Sequence, residues 1–288
     1  MAGNDRALPT GTDDLQAALD QGVLRVTLNR PGSHNALSLA MVEGLARVLA
    51  LAADDDEVRV VALTGTGDSF CAGGDVKNMA RGESIFGPRD RPDLRSERQK
   101  AAQRATSVRL WDFPKPTVAV LNGSAVGAGL ALALACDLRY ATASAVLRTG
   151  FVRAGLAGDF GCTWLLTQLL GPARAKELMY FSPTLPATRA AELGLVTEFF
   201  PDESFAEEAE RRVRTLSEGP PLALHTIKGH VTRALSEDLA ECADAEATWH
   251  VRLVDTDEHR AAVAAVARGR AAASTPRDDE TGPAPGRD

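Results

Sequence analysis

A chain of 288 residues, 44% hydrophobic and 25% charged, has the composition of a soluble globular protein, with length for one large domain or a domain and a small appendage. Its formal net charge of −7 argues against a nucleic-acid binder, which would carry a basic stripe, and leaves any anionic ligand to local positive groups. The longest apolar run, residues 130–136, is too short to cross a bilayer, and residues 1–11 lack a basic start followed by an apolar stretch, so the expectation is a cytoplasmic protein without a membrane partner.

In chain order, residues 1–20 read as a flexible lead-in. Residues 23–29 predict a strand ended by the Arg30-Pro31-Gly32 turn. Ser38 predicts the cap of a helix running to about residue 54, with Leu39, Val42, Leu45, Val48 and Leu49 on one apolar face. The nearly continuous apolar run 58–63 reads as a strand buried on both faces, followed by a glycine-rich turn over 65–74. Residues 81–96, charged with interspersed Gly and Pro, predict a mobile surface loop, and 97–111 a helix. A second buried strand is expected at 117–121, then the Asn122-Gly123 turn, a helix near 127–135, and short strands at 138–141 and 145–148. Beyond Phe160 the pattern is helical, broken at Gly171-Pro172, 183–186, Pro201 and 219–221, and the tail from Ala271 has the composition of a disordered segment. No repeat of fixed period is visible. Strands alternating with helices, then helices alone, predict an α/β core with a helical C-terminal portion.

The four cysteines, Cys71, Cys136, Cys162 and Cys242, form no Cys-x-x-Cys pair and none stands at metal-ligand spacing from a histidine, so a reduced compartment and no metal are expected. Chemistry concentrates in three glycine-bearing turns. In Phe70-Cys71-Ala72-Gly73-Gly74-Asp75-Val76-Lys77 two glycines can bring the backbone close to a ligand, or simply make a strand-to-helix turn capped by Asp75. Asn122-Gly123-Ser124-Ala125-Val126-Gly127-Ala128-Gly129 opens an apolar helix whose free N–H groups could hold an oxyanion, or whose small residues serve close packing. In Gly155-Leu156-Ala157-Gly158-Asp159-Phe160-Gly161-Cys162 a carboxylate among apolar residues could be a general base, or could cap the following helix.

The order and spacing of these turns resemble the crotonase (enoyl-CoA hydratase/isomerase) superfamily over roughly residues 21–270. Leu28-Asn29-Arg30-Pro31, Asn35-Ala36-Leu37, Lys115-Pro116, Gly161 with Gly171, and Ala190-Ala191-Glu192-Leu193-Gly194-Leu195-Val196 extend the likeness. The resemblance implies an α/β fold with a crotonase-type ββα spiral core at 21–200, a helical C-terminal trimerisation region at 201–270 and a disordered tail at 271–288. It implies an acyl-CoA substrate, held as a coenzyme A thioester without a further cofactor, and homotrimers or hexamers made of two trimers. The backbone N–H groups of Gly74 and Ala128 would form the oxyanion hole. Ala72 and Val76 would line the adenine site, Gly127 would also belong to the substrate- and CoA-binding set, and Arg30 and Lys77 would meet CoA phosphates unless they are ordinary solvated charges.

The chain also departs from the family. The two glutamates used by its hydratases correspond to Ala131 and Phe151, neither of which can transfer a proton. Asp159 remains, at the place of the aspartate in several non-hydratase members, which suits a double-bond isomerase with Asp159 as proton shuttle. A nucleophilic Asp159 would want a histidine in the first half of the site, and the only one before residue 200 is His34. A hydratase or lyase with unusual water positioning and a non-catalytic acyl-CoA-binding protein remain the alternatives. Val254 and about Gly269 stand where relatives place a phenylalanine and a lysine near the adenine of a neighbouring subunit.

Overall fold

The computed structural model describes residues 6–273, with side chains through Arg268. β1 (Arg6–Ala7), β2 (Leu15–Asp20) and β3 (Val23–Leu28) form an antiparallel start to the sheet. The expected flexible lead-in is therefore wrong from Arg6 onward. Leu15, Ala17 and Leu19 alternate into the core, and Gln21 and Gly22, at φ 46 and 80, make the tight two-residue turn that fixes the hairpin register.

α1 (Leu39–Ala53) begins where expected, with Ser38 Oγ accepting the Met41 N–H at 3.0 Å. β4 (Val60–Gly65), β5 (Ser69–Cys71) and α2 (Val76–Ala80) follow, with Asp75 capping α2. α3 (Pro92–Gln103) starts within the segment expected to be a loop, because Pro92 occupies a first helical position where its missing N–H costs nothing. It runs through a π-helical turn at Arg104–Val108 into α4 (Arg109–Trp111). Then come β6 (Thr117–Leu121), β7 (Ser124–Val126), α5 (Ala128–Ala135), β8 (Leu138–Thr142) and β9 (Val146–Arg148). A 3-10 turn at Phe151–Ala154 leads to α6 (Cys162–Phe181), kinked at Gly171, then β10 (Leu185–Pro186), α7 (Ala187–Glu192), β11 (Glu198–Phe200) and α8 (Phe205–Glu218).

The large sheet has the order β1-β2-β3-β4-β6-β8-β11 and is parallel from β3 onward; the small sheet has the order β10-β9-β7-β5. Three strand–strand–helix modules supply three adjacent strands to each: β4–β5–α2, β6–β7–α5 and β8–β9–α6. Each sends its first strand to the large sheet and its second to the small one. The modules start at Val60, Thr117 and Leu138, so the repeat is structural but unevenly spaced, which is why no fixed period shows in the sequence. Every residue of α5 is buried, as an Ala/Leu helix without a polar face requires. A Cβ on its Gly129 would lie 2.3 Å from Cys71 O, so this helix packs directly on β5.

α8 covers the other face of the large sheet, placing Phe205, Ala209 and Val213 against Val23, Val60, Val118 and Phe200. This compact unit thus extends through Pro221, past the expected core boundary at 200, because the sheet has two faces to cover. The second unit begins at Leu222 and holds most of α9 (Pro221–Arg233), with α10 (Leu239–Val254) and α11 (Asp257–Ala273). Asp238 and Glu241 form a reciprocal cap on α10. α11 continues through Ala273, so disorder does not set in at Ala271; residues 274–288 lie outside the described residues.

Candidate active site

β5 and β7 are parallel neighbours, and the loops that leave them converge on one cavity of about 350 Å³. Gly73 has φ 78, and a Cβ there would stand 2.5 Å from Val126 O and 3.0 Å from Ala128 N. Only glycine permits both the backbone conformation and this approach. The Leu37 N–H donates to Gly73 O at 2.8 Å, and the Gly74 N–H has no acceptor among the described residues. Ala128 is the first residue of α5, so its N–H has no intrahelical acceptor. Gly127, at φ 57 and ψ −122, makes the bend that starts the helix. Gly74 and Ala128 both line the cavity.

Asp159 lines the same cavity from the opposite element, just before α6. It does not cap that helix: the N-cap is Gly161, at φ 77, with no side-chain hydrogen bond. Oδ1 accepts from Gln99 Nε2 at 2.9 Å, from Gln103 Nε2 at 2.5 Å and from the Phe160 N–H at 2.9 Å. All three bonds fall on one oxygen, so Oδ2 takes part in none of them. Burial is the larger influence on this carboxyl and raises its pKa above the ordinary value, while the Gln99 amide and the Phe160 N–H pull it back. The same burial pushes the neighbouring Cys162 thiol up to about 12, which removes it as a nucleophile near neutral pH.

Gln99 and Gln103 escape a reading of the sequence alone. They stand four residues apart on α3 and so share a helix face, a signal that has meaning only once Asp159 is known to lie opposite. The remaining expected ligand contacts do not line this cavity. Arg30 turns inward, donating to Ala36 O at 2.5 Å and lying 3.7 Å from Asp14 and 3.9 Å from Asp75. The Ala72 N–H is engaged by His34 O at 2.9 Å. Val76 and Lys77 are exposed on α2, and Lys77 makes no ion pair among the described residues. Ala131 and Phe151 are buried. No group of His, Cys, Asp and Glu among the described residues could hold a metal ion.

Residues 18–272 match the family model described as enoyl-CoA hydratase/isomerase. The chain belongs to the enoyl-CoA hydratase/isomerase family. The 1,2-epoxyphenylacetyl-CoA isomerase of Escherichia coli K12 is 34% identical over 247 residues, 86% of this chain and 92% of that protein. A human protein, enoyl-CoA hydratase domain-containing protein 2, mitochondrial, is 34% identical over 258 residues, 86% and 84% of the two chains. A solved structure from Thermobifida fusca YX, in complex with acetoacetyl-CoA, superposes with a TM-score of 0.77 at 30% identity, covering 85% of this chain and 96% of that one. The two-sheet ββα architecture is thus that of the crotonase superfamily, as the sequence resemblance implied, and the chain is an enzyme of this family. Its relatives carry both isomerase and hydratase names.

Proposed function

We propose that this enzyme moves a double bond within the acyl group of an enoyl-CoA, with Asp159 as the proton carrier. The observation behind this reading is that Gly74, Ala128 and Asp159 line one cavity. The thioester oxygen accepts hydrogen bonds from the Gly74 and Ala128 N–H groups. Each such donor supplies about 2.7–4 kcal/mol as charge develops on that oxygen. Asp159 Oδ2 takes a proton from the α or γ carbon, and the electron pair flows into the thioester to form an enolate. The same proton returns at the other end of the conjugated system, so the double bond shifts with no net gain or loss of atoms or electrons. The raised carboxyl pKa supports the proton-carrying role, since an acid–base group works best when its pKa approaches the working pH. The apolar side chains of Ala131 and Phe151 argue against water addition by a glutamate pair.

The helical unit from Leu222 serves, in this reading, as the surface through which subunits assemble into trimers or paired trimers. Thr226 is its only buried residue among those described, and Ile227, Val231, Leu239, Val251, Val263 and Val266 are exposed. Sedimentation of the purified protein tests this, and a monomer at micromolar concentration rules it out.

Turnover of 2-enoyl- and 3-enoyl-CoA esters in heavy water tests the chemistry. Wild type should shift the double bond with deuterium at carbon, and Asp159→Asn should do neither. Equal water addition by both proteins would make the enzyme a hydratase that does not use Asp159.

A further inference from the structure

The cavity holds more charge than the isomerisation uses. Five charged side chains line it: Asp75, Glu83, Arg89, Arg95 and Asp159. Each acid has a partner. Asp75 caps α2 and lies 3.9 Å from Arg30, Glu83 pairs with Arg81 at 3.0 Å, and Asp159 accepts from Gln99 and Gln103. Arg89 and Arg95 have none: among the described residues neither guanidinium makes an ion pair or a side-chain hydrogen bond. Arg89 and Arg95 thus stand without an ion-pair partner in the wall of a concave site where Asp159, held by neutral amides, is the one lining acid with no cation within ion-pair distance.

The position of Arg95 says which part of a ligand it would meet. Arg95, Gln99 and Gln103 recur every four residues on α3, so they share one face. The glutamine bonds to Asp159 orient that face toward the site of proton transfer. Arg95 lies one turn nearer the N-terminus of α3, about 6 Å along the axis from Gln99. An anion there would sit a few carbon–carbon bonds from the carbon that Asp159 serves. A guanidinium holds a carboxylate through two parallel hydrogen bonds, a strong pairing when partly shielded from water.

We infer that Arg95, with Arg89 in the wall of the same cavity, binds an anionic substituent on the far end of the acyl group, so that the substrate is the CoA thioester of a short dicarboxylic acid. This rests on the proposal that the cavity takes the acyl part of a CoA thioester. A phosphate of CoA itself would offer the same charge, and the experiment separates the two sources.

Dissociation constants are measured by calorimetry for two unreactive thioesters of equal length, pentanoyl-CoA and glutaryl-CoA, with wild type, Arg95→Gln and Arg89→Gln. Wild type should bind glutaryl-CoA about tenfold more tightly or better, the size expected for one charge-assisted bidentate contact. Arg95→Gln should erase that preference by weakening glutaryl-CoA alone, while its unchanged affinity for pentanoyl-CoA shows an intact fold. Arg89→Gln should reduce the preference by a smaller factor. Equal wild-type affinities for the two thioesters would overturn the inference and leave the isomerase reading standing. Equal weakening of both by Arg95→Gln would also overturn it, assigning the guanidinium to a CoA phosphate. Failure of both thioesters to bind wild type would sink this inference together with the acyl-CoA reading beneath it.

Discussion

The two ends of the cavity are built from different materials. At the Gly74 and Ala128 end, the proposed chemistry is carried by the backbone and set by residues within a few positions of it. At the Asp159 end, it is carried by a side chain whose partners Gln99 and Gln103 lie 60 and 56 residues away in the chain. Backbone donors keep their identity through most substitutions but depend on the path of the chain. A buried carboxylate tolerates small backbone shifts, but its charge state depends on every neighbour. The first end should therefore fail through geometry and the second through protonation.

The largest effect is expected at the carboxylate. Asp159→Asn should lower turnover by about 10²–10⁴-fold, the usual contribution of a positioned acid–base group. Its stability should move the opposite way. Burial raises the Asp159 pKa in the folded chain, so the folded form binds this proton more tightly than the unfolded form. Stability then falls as pH rises through the window between the unfolded and folded values. Asparagine cannot ionise, so the variant should melt higher than wild type at neutral pH, and the gap should close in acid below the unfolded value. A variant that melts lower at pH 7 would show that burial is not the dominant influence on this group.

Next in size is Gly73→Ala. Its Cβ would meet Val126 O at 2.5 Å, on a backbone at φ 78 that alanine resists, so the two loops must separate. Turnover should fall by about 10²–10³, the effect of losing an oxyanion donor, while the pH dependence of the remaining activity stays put. Movement of the acid limb would couple the two ends and break the contrast.

The double substitution Gln99→Leu, Gln103→Leu should do the reverse. Removing donors that favour the ionised carboxyl raises its pKa further, so the acid limb of the kcat profile should move to higher pH. Restored activity in more alkaline buffer would mark these glutamines as positioning residues. An unshifted limb with uniformly low kcat would mean that they serve packing alone. The smallest effect belongs to Ala128→Gly, which keeps the N–H; it should cost the helix roughly 0.5–1 kcal/mol of stability, read from a denaturant titration, with little change in kcat.

Much of this was legible in advance, and each exception has its own cause. The strand at Val60–Gly65, the Ser38 cap and the all-apolar α5 follow from local patterning, because burial on two faces and capping are properties of adjacent residues. The strand at Leu15–Asp20 escaped because its alternation is short, only Leu15, Ala17 and Leu19, and is blurred by the apolar Ala18 between them. The start of α3, residues 92–96, escaped because its charged surface resembles a loop; the helix is tied to the cavity by two amides whose partner lies in another module.

By itself, then, the amino-acid sequence determined the alternation of strands and helices and the glycines that bend the backbone at Gly73 and Gly127, short-range consequences of hydrophobic period and φ, while the family was legible as a resemblance in the order and spacing of the motifs. Only the tertiary structure decided that Asp159 is a buried, glutamine-held carboxyl rather than a helix cap, and that Arg30 faces Asp14 and Asp75 while Arg95 faces the cavity. Those outcomes depend on desolvation and on partners distant in the chain, and neither quantity exists until the modules have packed.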